Sequence, residues 1–72
     1  MAIPKVRLQL AARLRQLRAK YELTQEEMAE RAGLDARYYQ RIESRHPTAV
    51  KIDTIEKLAK AFKITCSKLI NF

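Results

Sequence analysis

Seventy-two residues carrying 15 Lys plus Arg against 8 Asp plus Glu, a formal charge of +7, exclude a large core, a roomy substrate cleft and a membrane span: a chain this short buries only about 60% of its unfolded surface, and charges interrupt it too often for the roughly 18 apolar residues a span requires. A single cysteine, Cys66, and a single histidine, His46, exclude an internal disulfide and a zinc set, a thiol usage that suits a reducing cytosol. With one Gly and two Pro, helices are the expected element and a turn-rich β fold is not.

Lys5 to Lys20 predicts a first helix, because Val6, Leu10, Leu14, Leu17 and Tyr21 recur three or four residues apart along one face while the other faces are basic. Residues 1–20 are Arg-rich and acid-free, as mitochondrial leaders are, but they lack serines and the rest of the chain needs their apolar face. Thr24 is placed to cap a second helix, and Glu27 to reach back to the Thr24 amide in a capping box. Met28, Ala29 and Ala32 form its inner side, and Gly33 follows where a left-handed residue ends it.

Asp35 is the expected N-cap of a third helix, in which Tyr39 and Ile42 point inward before Glu43 and Ser44 close the segment. Arg45 to Lys51 contain Pro47 and have no helical period, so they read as a loop, with His46 exposed in it. Asp53 is then expected to cap a fourth helix with Ile55, Leu58, Ala59 and Phe62 inward, Glu56 completing a second capping box, and Lys60 and Lys63 at the negative end of its dipole. A last turn after Thr65 or Ser67 is expected to bring in Leu69 and Ile70, with Cys66 near the rim of the core. There is no repeat, linker or low-complexity segment, and residues 1–72 are expected to form one domain with nothing appended.

The charge is distributed in blocks: +6 over residues 1–20, −4 over 21–35, +3 over 36–51 and +2 over 52–72. Such alternation suggests a polyanion that meets only part of the surface, either nucleic acid or an anionic membrane. The informative stretch is 25–44, two short helices separated by a turn with one glycine. Two helices cross at such a turn only if the residues in contact are small and correctly phased, which Ala29 and Gly33 provide. Ala36, Arg37, Tyr38, Gln40 and Arg41 are left projecting outward, and Arg and Gln are the side chains whose paired hydrogen bonds suit guanine and adenine edges.

Over roughly residues 10–70 the sequence resembles the helix-turn-helix family of phage Cro and repressor proteins, the XRE type. The resemblance is carried by Leu14-Arg-Gln-Leu-Arg18, Leu23-Thr-Gln-Glu-Glu-Met-Ala29, Ala32-Gly-Leu34, Tyr39-Gln-Arg-Ile-Glu43 and Ile52-Asp-Thr-Ile-Glu-Lys-Leu-Ala-Lys-Ala-Phe62, in order and at nearly fixed spacing. It implies an all-α, compact five-helix, lambda-repressor-like domain with its helix-turn-helix at helices 2 and 3, about residues 24–44. It implies sequence-specific binding of double-stranded DNA by a transcriptional regulator, a repressor, that inserts helix 36–44 into the major groove.

By position, the resemblance gives base reading to Arg37, Gln40 and Arg41, and phosphate binding to Gln25, with Tyr38 at the DNA surface, stacking or bonding a phosphate. Ala36 stands where a base-reading glutamine is common, which leaves it a methyl contact to thymine. Arg18 and Glu43 match an ion pair tying the first helix to the end of the third. Tyr39 occupies a position usually given to Ile or Val and is expected in the core with its hydroxyl at the edge. The loop departs most, since no glycine follows Glu43 and the spacing to Ile55 is one residue longer than typical; Arg45, Thr48 and Lys51 are its expected phosphate contacts.

A homodimer is the expected route to specificity, with Ile70 and Phe72 as candidates for its contact or as the last core residues. No cofactor, metal, small-molecule ligand or membrane is expected, and the expected location is cytoplasmic, on a prokaryotic or phage-type nucleoid. No Ser/His/Asp or Cys/His set, carboxylate pair or Gly-rich phosphate loop can be composed, so no enzymatic activity is expected. Two other readings stand beside DNA binding: a protein-interaction module such as an antitoxin or adaptor, and a membrane-surface helix built on residues 5–20.

Overall fold

A computed structural model describes residues 2–72. Five helices follow one another among them: α1 (Lys5–Lys20), α2 (Gln25–Ala32), α3 (Ala36–Glu43), α4 (Ile52–Ala61) and α5 (Cys66–Leu69). The described residues contain no strand, and the chain folds as an all-α body with a radius of gyration of 11.1 Å, close to the ~11 Å of a compact chain of this length.

α1 packs on α3, α2 on α3 and α4, and α4 on α5. The core they enclose is centred on Leu14, Met28, Tyr39, Ile42, Leu58 and Leu69, all fully buried. Leu10 and Leu17 supply the rest of the α1 stripe, whereas Val6 at its start is 58% exposed. Val6 continues the period into the first turn of α1, before the helix reaches any partner. Tyr21, also expected on that stripe, is half in water and stacks on Phe62 with ring centroids 5.9 Å apart.

One device ends three of the helices. Glu22, Gly33 and Lys63 take φ of 54°, 68° and 56°, all left-handed. The amide of the next residue then reaches back five positions, Leu23 to Arg18, Leu34 to Ala29 and Ile64 to Ala59, at 2.8–3.0 Å. This is the Schellman closure with its apolar residue one place beyond the left-handed one. The residue after each apolar one is the N-cap of the next helix: Thr24, Asp35 and Thr65, whose side chains accept from the amides of Glu27, Tyr38 and Lys68. Only Gly33 takes the left-handed conformation at no steric cost.

The start of α4 differs from expectation. Lys51, extended at φ −69° and ψ 152°, is the N-cap and makes no side-chain cap bond, so Asp53 lies inside the first turn. There its charge still suits the positive end of the dipole. Glu56 forms no capping box and instead pairs with Lys60 one turn on at 3.6 Å, on the exposed surface. At the C-terminal end Leu69 is buried but Ile70 is not, and Cys66 is exposed in the first turn of α5 instead of at the core rim. Leu69 alone of that turn points at α4; its neighbours face water.

Nothing lies within 4 Å of a Cβ built on Gly33, so Gly33→Ala is expected to cost only the conformational term, about 1 kcal/mol. Lys63→Gly, at the same place in its own turn, is expected to cost nothing or to stabilise. Urea midpoints at unchanged slope measure both; a Gly33→Ala loss above ~3 kcal/mol would mean the turn is held by packing instead.

Candidate nucleic-acid interface

The α2–turn–α3 unit is built from both ends inward. At the start of α2 the capping box is closed: the Glu27 amide donates to Thr24 Oγ1 at 3.1 Å and the Thr24 amide to Glu27 Oε1 at 3.0 Å. The bond from the Thr24 amide holds the Glu27 carboxyl below its usual range. At the start of α3 the Tyr38 amide donates to the Asp35 carboxylate at 3.2 Å. Between the two, Ala29 is buried, and its size lets the turn fold back.

α3 is eight residues long and divides sharply. Tyr39, Ile42 and Glu43 are buried; Arg37, Gln40 and Arg41 are exposed together on the opposite face. Ala36 and Tyr38 are half-buried and lean on the edge of the core. In the following loop Arg45 and Lys51 are exposed, Thr48 is half-buried and Pro47 is buried, which anchors the loop to the body. His46 is exposed.

The end of α3 is the most heavily bonded point of the molecule. The Glu43 carboxylate, 4% exposed, accepts Arg18 Nε at 2.9 Å and Nη2 at 3.0 Å, a two-pronged pairing, and Gln25 Nε2 at 3.3 Å. Arg18 Nη1 also donates to the Leu23 carbonyl at 2.9 Å. Arg15 Nη1 donates to the Glu43 backbone carbonyl, capping the negative end of the α3 dipole. Side chains of α1 and α2 thus converge on one carboxylate of α3, and the same Arg18 ties the α1–α2 turn to it through the Leu23 carbonyl. The bond to Glu43 raises the Arg18 pKa, so the guanidinium is charged at every accessible pH.

Sequence reasoning did not foresee three of these contacts. Gln25 turns one amide hydrogen onto Glu43, leaving its second for another acceptor. Arg15 serves α3, and Arg13 donates through Nη2 to the Lys68 carbonyl of α5 at 3.2 Å. No spacing rule exposes a bond from a side chain to a distant carbonyl. A fourth feature corrects an expectation: Tyr39 is wholly buried, and its hydroxyl, instead of reaching the edge, lies beside the Arg18–Glu43 pair without a hydrogen bond of ordinary geometry to either. Burial, then the neighbouring Glu43 carboxylate, pushes its phenol far above the ordinary range.

Among the described residues no group of three or more His, Cys, Asp or Glu is placed to hold a metal, and no helix is long and apolar enough to cross a membrane. What remains is an outward face carrying two guanidinium groups and a carboxamide on a firmly tied helix.

Glu43→Ala is expected to lower stability by roughly 2–3 kcal/mol. That lies below the ~3–5 of a fully buried pair because 24% of the Arg18 side chain stays in water; a loss within the surface norm of ~0.5 kcal/mol would contradict it. Tyr39→Phe removes a buried hydroxyl without a partner and is expected to raise stability by about 1 kcal/mol. A loss of that size, read by the same denaturation, would show that the hydroxyl is bonded in solution.

In comparison with known proteins, a family model described as helix-turn-helix matches residues 14–69. Neither a curated protein nor a solved structure matches the chain at a significant level.

Proposed function

The chain belongs to the helix-turn-helix family, of the Cro/repressor or XRE type, a family of DNA-binding transcription regulators, and from that premise we propose that it is a repressor whose α3 enters the major groove of double-stranded DNA. The observation that carries this reading is the division of α3: Arg37, Gln40 and Arg41 stand on one exposed face while Tyr39, Ile42 and Glu43 fix the other. Arg pairs bidentately with guanine O6 and N7, and Gln with adenine N6 and N7. Ala36 offers only a methyl group to thymine.

Register on the duplex would come from groups that touch phosphate. Gln25 keeps an amide hydrogen for this at the start of α2, and Tyr38, Arg45, Thr48 and Lys51 flank the reading face from α3 and the loop. Helix α1 contributes indirectly: Arg15 and Arg18 hold the end of α3, so the reading residues present a fixed array. One such module has a small interface, and a homodimer spanning two half-sites ~34 Å apart supplies specificity. Ile70 and Phe72, 44% and 46% exposed at the C-terminal end, are the candidates for its contact. The work of such a protein is at the nucleoid, where it silences a promoter by occupying it.

Selection of bound sequences from random duplex DNA tests this reading. A defined motif is expected, and affinity for it should fall linearly with salt on logarithmic axes. Arg41→Ala should cost about 1–3 kcal/mol and relax preference at one base pair, whereas Lys51→Ala should weaken all sequences alike. No enrichment at modest salt, or binding that ignores salt, would contradict it.

A further inference from the structure

On the far side of α1 from the end of α3 lies a second basic surface. Arg13 and Lys20 are roughly half a turn around α1 from Arg15 and Arg18. With Lys68 of α5 they line a depression of about 440 Å³ floored in part by Leu17 and Ile64. A second depression, of about 230 Å³, is lined by Arg31, Lys63, Ala61 and Phe62. Tyr21 borders both, so the two meet at its ring. Five cations line the two depressions, and no carboxylate side chain lines either. Neither shares a residue with the groove beside α3, which is lined by Leu8, Ala11, Arg15, Glu43, Ser44 and Arg45.

Two of the cations are already held in place. Arg13 is tethered to the Lys68 carbonyl at 3.2 Å, and Lys20 Nζ lies 5.6 Å from the centre of the Tyr21 ring. Held groups lose less side-chain entropy when they bind. Among the described residues none of the five stands in an ion pair within 4 Å; Arg31 acts on Glu27 one turn before it on α2, and the other acids of residues 21–35 leave the surface uncompensated.

We propose that this surface docks an acidic segment of a partner protein, with carboxylates set against the five cations and apolar side chains seated beside Tyr21. The occupant follows from charge complementarity and shape together. A nucleic-acid backbone is a line of evenly spaced phosphates joined by polar sugars, with no apolar side chains to seat in a hollow. Here the cations ring two concave, partly apolar floors, which suits acidic and aliphatic side chains in alternation. The position behind α1 leaves the exposed face of α3 uncovered while the partner is bound.

The probe is a fluorescein-labelled peptide of alternating glutamate and leucine, titrated into the full chain by anisotropy, with amide shifts followed in the 15N-labelled protein. Shifts are expected to centre on Arg13, Lys20, Tyr21, Lys63, Ile64 and Lys68. K20E/K68E should lower peptide affinity by about tenfold or more at an unchanged melting temperature. K5E/K57E, which changes net charge equally on exposed sites elsewhere, should stay within about twofold. The proposal is overturned if the peptide fails to bind, if a glutamine version binds equally, or if the shifts centre on Arg37, Gln40 and Arg41. A short duplex that moves Arg13, Lys20 and Lys68 as strongly as the peptide would also overturn it, by giving the surface to nucleic acid.

Discussion

One buried carboxylate organises the molecule. Glu43 takes both prongs of Arg18 and the amide of Gln25, and its backbone carbonyl takes Arg15, so three helices are fixed relative to one another at a single residue. A carboxylate at 4% exposure is tolerable only because these donors replace the water it lost. The arrangement has a direct consequence for α3. An eight-residue helix has little stability of its own, and this one is pinned by Asp35 at its start and by arginines from α1 at its end. What it presents outward is accordingly a fixed array.

The charge of +7 separates into parts with different work. Arg13, Arg15 and Arg18, half of the cations in residues 1–20, bond to carbonyls or carboxylate within the fold. That is why a basic stretch with no acid of its own packs without strain: its counter-charges are Glu43 and the negative ends of two helices. Arg37 and Arg41 lie on the outward face of α3, and Arg45 just after it. The remaining cations are sided too, since four of them, Lys20, Arg31, Lys63 and Lys68, join Arg13 along the two depressions that Tyr21 borders behind α1.

Much of the fold was legible in the sequence because its signals are local. The capping box of Thr24 and Glu27, the left-handed Gly33, the Asp35 cap and the inward Tyr39 and Ile42 each depend on residues within one turn. Legibility failed where the signal was not local or not typical. Glu22 and Lys63 end helices in the conformation that Gly33 takes, but neither residue type announces it. The recurring signal lies one residue later, in Leu23-Thr24, Leu34-Asp35 and Ile64-Thr65: an apolar residue that closes one helix followed by a cap that opens the next. Asp53 looked like a cap because it is a good one, yet the extended Lys51 starts α4 earlier. For the interface, the outward Arg37, Gln40 and Arg41 were readable from period alone, whereas Ala36 and Tyr38, expected outward with them, are half-buried against the edge of the core. The inward turn of the Gln25 amide, the Arg15 bond to the α3 carbonyl and the stranded Tyr39 hydroxyl belong to tertiary packing, which no short window of sequence contains.

That Arg18 and Glu43 act as one joint is best measured by a double-mutant cycle: Arg18→Ala, Glu43→Ala and the pair, each unfolded in urea. A joint of this kind predicts a coupling of about 1–3 kcal/mol, the double variant losing far less than the two single losses together. Additive losses, with a coupling near zero, would contradict it and leave α3 held by its apolar face alone.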